Sequence, residues 1–169
     1  GLAERLHKLN DERKYVVAGI VKDIKKTLSK RDNKDVIVIG NPNWRVGVLG
    51  IVASNIVEKY NKTAFVWGKD SNEVLKGSCR SDGSVNLVKL MEGTSPKSFI
   101  NIGGHEMSGG FSVMHDKIHL MEDELNKSYK KNKKEMEELQ EKISNLNNDL
   151  DKKRKEVQLR LAELDRKTR

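Results

Sequence analysis

The chain has one cysteine, Cys79, among its 169 residues, which excludes an internal disulfide and fits a reducing, cytoplasmic setting. Aromatic residues make up 5%, and the phenylalanines and tyrosines are scattered, so a platform stacking several successive bases is not expected. Of the four histidines, His7, His115 and His119 have no partner at metal-ligand spacing and are expected on the surface. No uncharged apolar run is long enough to cross a membrane, and the opening GLAERLHKLNDERK lacks the apolar centre of a signal peptide. Because it starts on Gly1 rather than Met, the sequence reads as an excised fragment.

What the chain has in quantity is charge. Charged residues make up 34% and apolar residues 36%, a polar balance that leaves part of the chain outside any core. The length suits one domain plus an appendage. Net charge is +8: residues 1–115 hold 18 basic and 12 acidic side chains, and residues 116–169 hold 15 and 13. The excess sits mainly on the first part, where it favours an acidic partner such as nucleic acid.

The organising stretch is Val36 to Tyr60. Val36 to Gly40 (VIVIG) is apolar, mostly β-branched and unalternated, the pattern of a strand buried on both faces. Asn41-Pro42-Asn43 breaks the chain into a loop. From about Val46 the period becomes helical, with Val48, Leu49, Val52, Ile56 and Val57 on one face and Gly47 and Gly50 in the first turn. Two roles are open to these glycines: close packing of helix on sheet, or approach of an anion to the free N–H groups at the helix start.

Around this unit the pattern alternates. Leu2 to Leu28 reads as one amphipathic helix, or two broken near Asn10-Asp11 with Asp11 as a cap; Lys22, Lys25, Lys26, Lys30 and Arg31 form a solvated face. Thr63 to Trp67 is a second strand completing a β–α–β crossover, Gly68 to Asn72 a turn, and Val74 to Ser81 a third strand with a small-residue centre. A short helix follows from Asn86 to Glu92, then a strand through Phe99, Ile100 and Ile102, a Gly103-Gly104-His105 loop and a final strand from Gly110 to Met114. The expected fold is therefore a small α/β domain with a mixed sheet over residues 31–115, a connector helix in 1–30 and a long C-terminal helix in 116–169.

That last helix, capped by Asp116, carries Ile118, Met121 and Leu125, and it does not stop. Met136, Leu139, Ile143, Leu146, Leu150, Val157 and Leu164 follow heptad spacing, interrupted at Lys153 and Arg160. Neither Gly nor Pro occurs from Lys133 onward, so the helix would extend about 55 Å at roughly 1.5 Å per residue. A helix this polar cannot bury its stripe alone. Residues 133–169 are expected to form a coiled coil by self-association or with a partner helix; a lost remainder of the chain or a fusion are the other readings.

Several residues have chemistry to offer. Arg80, on a strand of small residues, can donate paired hydrogen bonds to a phosphate, with hydroxyl donors from Ser78 and Ser81; alternatively it pairs with Asp82. His105 follows two glycines, Gly103 and Gly104, that let its loop approach a ligand. Trp44 can stack on a base or cover the core beside the helix start, and Trp67 is expected to pack.

Three ordered motifs carry a family resemblance over roughly Leu6 to Val113. Trp44-Arg45-Val46-Gly47-Val48-Leu49-Gly50-Ile51-Val52-Ala53-Ser54 resembles the W-x-x-G-V-x-G-I-V-A-S signature of the DHHA1 domain in RecJ-type single-strand exonucleases. Gly77-Ser78-Cys79-Arg80-Ser81 is similar to its G-S-x-R-S strand, and Gly103-Gly104-His105 to its G-G-H loop. Leu9-Asn10-Asp11-Glu12-Arg13 resembles the L-N-x-E-R element by which such chains leave their catalytic domain. The family's G-G-H-x-x-A-A-G continues here with Ser108 and Gly109, which stay small, and Arg45 stands where many relatives have His.

The resemblance implies that Ser78 and Arg80 hold the terminal phosphate and backbone of single-stranded DNA, with Ser81, Gly103, Gly104, His105, Arg45 and Trp44 as further candidate contacts. It implies a DNA-repair hydrolase that pairs this half with a DHH catalytic domain binding manganese or magnesium. No Asp-His-His occurs here, so the chain alone is expected to bind no metal and hydrolyse nothing. The alternatives are the corresponding half of an oligoribonuclease or cyclic-dinucleotide phosphodiesterase, with RNA in place of DNA. A non-catalytic coiled-coil module binding nucleic acid or a repair protein is the third.

Overall fold

The computed structural model describes residues 1–71 and 74–168, so the expected turn from Gly68 to Asn72 ends outside the described residues. The elements are α1 (Leu2–Leu28), β1 (Val36–Gly40), a 3-10 turn (Val46–Val48), α2 (Leu49–Tyr60), β2 (Thr63–Lys69), β3 (Val74–Arg80), α3 (Leu87–Glu92), β4 (Asn101–Gly104), β5 (Ser108–Met114), a second 3-10 turn (His115–Lys117) and α4 (Ile118–Thr168). The sheet runs in the order β1-β2-β3-β5-β4. β1 and β2 are parallel and the other pairs antiparallel. This is the mixed α/β fold expected from the sequence.

Two cores lie on the two sides of the sheet. On one, Ile37 and Ile39 of β1 and Ala64 and Val66 of β2 meet Leu49, Val52, Ala53 and Ile56 of α2, with Val17, Ile20 and Ile24 of α1 joined on. On the other, Val36, Val38, Phe65, Leu75, Phe111 and Val113 meet Leu87, Leu90 and Met91 of α3 and Met121 and Leu125 of α4. The unbroken apolar run of β1 is thus buried from both sides, because each alternate residue feeds a different core. Residues of α1 and the first turns of α4 are integral to these cores, and the first compact unit accordingly spans Gly1–Asn132.

Local details depart from expectation in three places. α1 is the single helix of the two readings, with Asp11 exposed in its interior. Its apolar stripe splits: Val17, Ile20 and Ile24 are buried, whereas Leu2, Leu6 and Leu9 stay more than half exposed. β4 begins at Asn101, so Gly103 and Gly104 are strand residues paired to Gly110 and Gly109 rather than a loop. Phe99 precedes the strand and packs edge-on against Phe111, with ring centroids 5.8 Å apart. Asp116 sits within the second 3-10 turn and does not cap α4.

Polar contacts close the exposed edge at β1. Asn126 of α4 accepts the Val36 N–H at 3.0 Å and donates to the Val36 carbonyl at 3.2 Å, while Arg31 donates to the Val38 carbonyl at 3.0 Å. Edge strand β1 therefore offers these groups to no other chain. The Glu124 carboxylate accepts the Ser95 N–H at 2.8 Å and the Ser95 hydroxyl at 2.9 Å, bonds that hold its pKa below the usual carboxylate range and tie the α3–β4 loop to α4.

The second unit begins at Lys133 and is the remainder of α4. Every described residue in it is exposed, Met136, Leu139, Ile143, Leu146 and Leu150 included. Among the described residues no helix is long and apolar enough to cross a membrane.

Candidate nucleic-acid interface

The period-2 geometry of β3 sorts its residues into two sets. Leu75, Gly77 and Cys79 face the α3–α4 core, which leaves Lys76, Ser78 and Arg80 on the α2 side. Cross-strand partners share a face. The register therefore builds three rows across β3, β5 and β4: Lys76–Ser112–Asn101, Ser78–Gly110–Gly103, and Arg80–Ser108. His105 continues the last row, its N–H donating to the Ser108 carbonyl at 2.9 Å. Two inter-strand spacings, about 10 Å, separate the Arg80 and His105 backbones.

α2 bounds this shelf on one side. A Cβ placed on Gly50, in the first turn of α2, would stand 2.7 Å from Arg80 Nη2 and 3.7 Å from Ser78 Oγ. Gly50 thus lets the guanidinium lie against the helix start, whereas a Cβ on Gly47 would meet nothing within 4 Å. The expected free N–H groups are partly consumed: the Val48 N–H donates to the Arg45 carbonyl at 3.3 Å and the Leu49 N–H to that of Val46. At the other side the shelf is open. A Cβ on Gly103 would meet nothing within 4 Å, and a shallow depression of about 340 Å³ is lined there by Lys76, Asn101, Gly103, Gly110 and Ser112.

Arg80 is half-buried, and its partners are carbonyls. Its Nη1 donates to Cys79 O at 2.8 Å and to Gly109 O at 3.5 Å. Asp82, the alternative partner, is taken up elsewhere: its Oδ1 accepts from the Thr63 hydroxyl at 3.0 Å and from the Ser84 N–H and hydroxyl at 3.0 and 2.6 Å. Two neutral acceptors orient the guanidinium without cancelling its charge, which suits it to an anionic ligand. Lys76 is exposed and paired with Asp70 at 3.4 Å.

The remaining candidates divide. His105 is exposed, and its Nδ1 accepts the Met107 N–H at 3.3 Å, which leaves Nε2 as the ring's outward group. Gly104 at φ +113 makes this turn possible; a Cβ there would stand 2.4 Å from the Ser108 carbonyl. Ser81 is turned inward. It is 5% exposed, donates to the Val85 carbonyl at 2.6 Å and accepts the Gly83 N–H at 3.0 Å, so its hydroxyl builds the turn after β3 instead of facing a ligand. Trp44 is half-buried against the α2-side core, and Trp67 lies across Gly40. Arg45 is exposed and lines a groove beside α1 with Glu4, Lys8, Asp11 and Glu12 among others. Two larger hollows, about 880 and 950 Å³, run along α1, and of the candidate residues only Arg45 reaches either. Lys76, Asn101 and Ser112 were missed by motif reading; alternation from Ser78 and Arg80 already points to Lys76.

Segments far apart in sequence, around Gly50, Arg80 and His105, thus meet at one sheet face. The model of the DHHA1 domain matches residues 10–146, running from within α1 through the sheet into the second unit. The chain belongs to the DHHA1 family. It is 32% identical over 120 residues to the single-stranded-DNA-specific exonuclease RecJ of Haemophilus influenzae, covering 66% of this chain and 21% of that protein. Against the Escherichia coli K12 RecJ it is 30% identical over 129 residues, 72% of this chain and 22% of that protein. Its fold is similar to a crystal structure of exonuclease RecJ bound to manganese, with TM-score 0.64 and 25% identity, covering 76% of this chain and 31% of the other. RecJ of Thermus thermophilus in complex with Mg2+ shares the fold at TM-score 0.66 and 24% identity, covering 77% of this chain and 20% of the other. This DHHA1 chain therefore spans about a fifth of the length of the curated relatives it matches. Among its described residues no three His, Cys, Asp or Glu side chains are grouped to hold a divalent ion such as those RecJ structures carry.

Proposed function

We propose that the DHHA1 chain binds single-stranded DNA through its phosphates and presents the strand end to a DHH catalytic domain that carries the metal-dependent hydrolysis. The observation that carries this reading is the packing of Arg80 against Gly50, with the Cys79 and Gly109 carbonyls as its hydrogen-bond partners, on a shelf open over Gly103. Arg80 and Ser78 hold the terminal phosphate, His105 adds a contact at the opposite row, and Lys76 supports the next phosphate. The glycines on β4 and β5 let the strand's backbone lie close to the sheet. The exposed Leu2, Leu6 and Leu9 on α1 are where a preceding domain would be joined. In this reading the chain positions substrate and catalyses nothing alone. RecJ similarity favours DNA, and an RNA arm in the assay decides against oligoribonucleotide substrates.

The test is fluorescence anisotropy with a 5′-phosphorylated single-stranded DNA, its 5′-hydroxyl counterpart, the matching RNA and a duplex, across a salt series. Preference for phosphorylated single-stranded DNA, lost with Arg80→Ala, is the expected result. Equal binding of all four ligands, unchanged by Arg80→Ala and abolished by modest salt, would leave only a basic surface.

A further inference from the structure

The second unit is one uninterrupted helix whose large apolar side chains are all exposed. Strict heptads place Lys153 and Arg160 in the seam and leave Leu161 outside it. A different spacing removes that conflict. Met136, Leu139, Ile143, Leu146, Leu150, Arg154, Val157, Leu161 and Leu164 succeed one another by 3, 4, 3, 4, 4, 3, 4 and 3 residues. The doubled step of four at Leu150 is a stutter, which locally relaxes the supercoil and rephases the stripe. Lys153 and Arg160 then flank the seam, and Arg154 is its one charged member. Among the exposed large hydrophobics of this unit only Leu159 lies off it.

The spacing is palindromic about Leu150. Reversing one helix against another brings Met136 opposite Leu164, Leu139 opposite Leu161, Ile143 opposite Val157, Leu146 opposite Arg154, and Leu150 opposite itself. We infer that residues 136–164 form an antiparallel two-stranded coiled coil with a second copy of this chain, its twofold axis at Leu150.

Charge selects the direction. Residues 133–149 hold three basic and five acidic side chains, net −2, and residues 151–168 hold seven basic and four acidic, net +3. Antiparallel pairing lays the acidic half on the basic half; parallel pairing lays like on like. At the flanks the antiparallel register faces Glu135 with Lys167, Asp149 with Lys153 and Lys133 with Asp165, against one repulsive pair, Lys142 with Arg160. In the seam, parallel pairing would bury Arg154 against its own copy, a like-charge contact in the least solvated place. Antiparallel pairing sets it against Leu146, close to the partner's acidic half. The inference does not depend on the DNA-binding reading, because it uses only the second unit.

Light scattering on the full chain, with introduced cysteines to read direction, is the test. Cys79 is buried, so an added cysteine reports alone. The expected mass is twice the 19.2 kDa of one chain, returning to one chain's mass with Leu150→Glu. Under mild oxidation Leu150→Cys cross-links to itself. Met136→Cys and Leu164→Cys stay uncross-linked alone and join when mixed. A one-chain mass for the unaltered protein, or self-cross-linking of Met136→Cys, overturns the proposal. Circular dichroism of each variant confirms that its helix is retained, and anisotropy with DNA reports separately on the first unit.

Discussion

Gly50 and Arg80 occupy each other's space: the hydrogen of Gly50 stands where a Cβ would come within 2.7 Å of Arg80 Nη2. The first and second motifs of the chain are thereby one structural device, in which a helix glycine leaves room for the guanidinium that the next motif supplies.

Gly50→Ala is expected to displace the guanidinium while leaving the fold intact, since alanine gains roughly 1 kcal/mol of helix propensity over glycine. That gain offsets the local crowding. Affinity for a 5′-phosphorylated single strand should fall about 10- to 100-fold, the value of a charge-assisted hydrogen bond of roughly 1.5–3 kcal/mol. Anisotropy and a thermal melt on the same sample check both halves. A large fall in melting temperature would mean that Gly50 serves packing alone.

Ser78 and Ser81 stand three residues apart and should separate cleanly. Ser81→Ala removes the hydroxyl that joins Val85 and Gly83, and is expected to cost about 1–3 kcal/mol of stability through the unsatisfied buried groups. Ser78→Ala should leave denaturant midpoints nearly unchanged and weaken oligonucleotide binding several-fold. Urea melts and binding isotherms of the two variants give the comparison.

Burial pushes the Cys79 thiol up from 9.0 to about 12, opposed by the positive charge of Arg80 and a backbone bond from Gly109. The folded pKa is the higher one, so above pH 9 the unfolded chain has lost a proton that the folded chain keeps. Stability from this group is complete below about pH 9 and is lost as pH rises toward 12, by up to roughly 4 kcal/mol. Denaturation followed between pH 8 and 11 should show the decline, and Cys79→Ala should flatten it. At pH 8 the native thiol should resist alkylation.

Asn126→Ala leaves both the N–H and the carbonyl of Val36 without their partner at the edge of β1. A loss of about 2 kcal/mol is expected for groups that are part-buried, together with a tendency to pair edge to edge at high concentration. Urea midpoints and scattering at rising concentration would register each. An unchanged midpoint would mean that water replaces the amide fully.

Much of the fold was legible in the order of residues. β1 announced itself by four successive β-branched residues, Val36 to Ile39, and α2 by the switch of period at Val46, both local signals. The phosphate-binding candidates Ser78, Arg80 and His105 were legible as motifs. β4 was legible as a strand but not in its bounds, because Gly103 and Gly104 read as loop until Gly109 and Gly110 are seen to pair with them. Local propensity has no access to a partner strand.

The sequence by itself determined the strand and helix types, the charge excess, the family and the heptad-like stripe, since each rests on spacing between near neighbours. Tertiary structure decided which of the same residue types do what. It turned Ser81 inward and left Ser78 beside Gly50, drew Arg45 toward α1, added Lys76, Asn101 and Ser112 to the shelf, and closed β1 with Asn126 from 90 residues away. The physical reason is that a side chain's role follows from register and from contacts across the sheet. Those are set by the packing of the whole unit, not by any stretch within it.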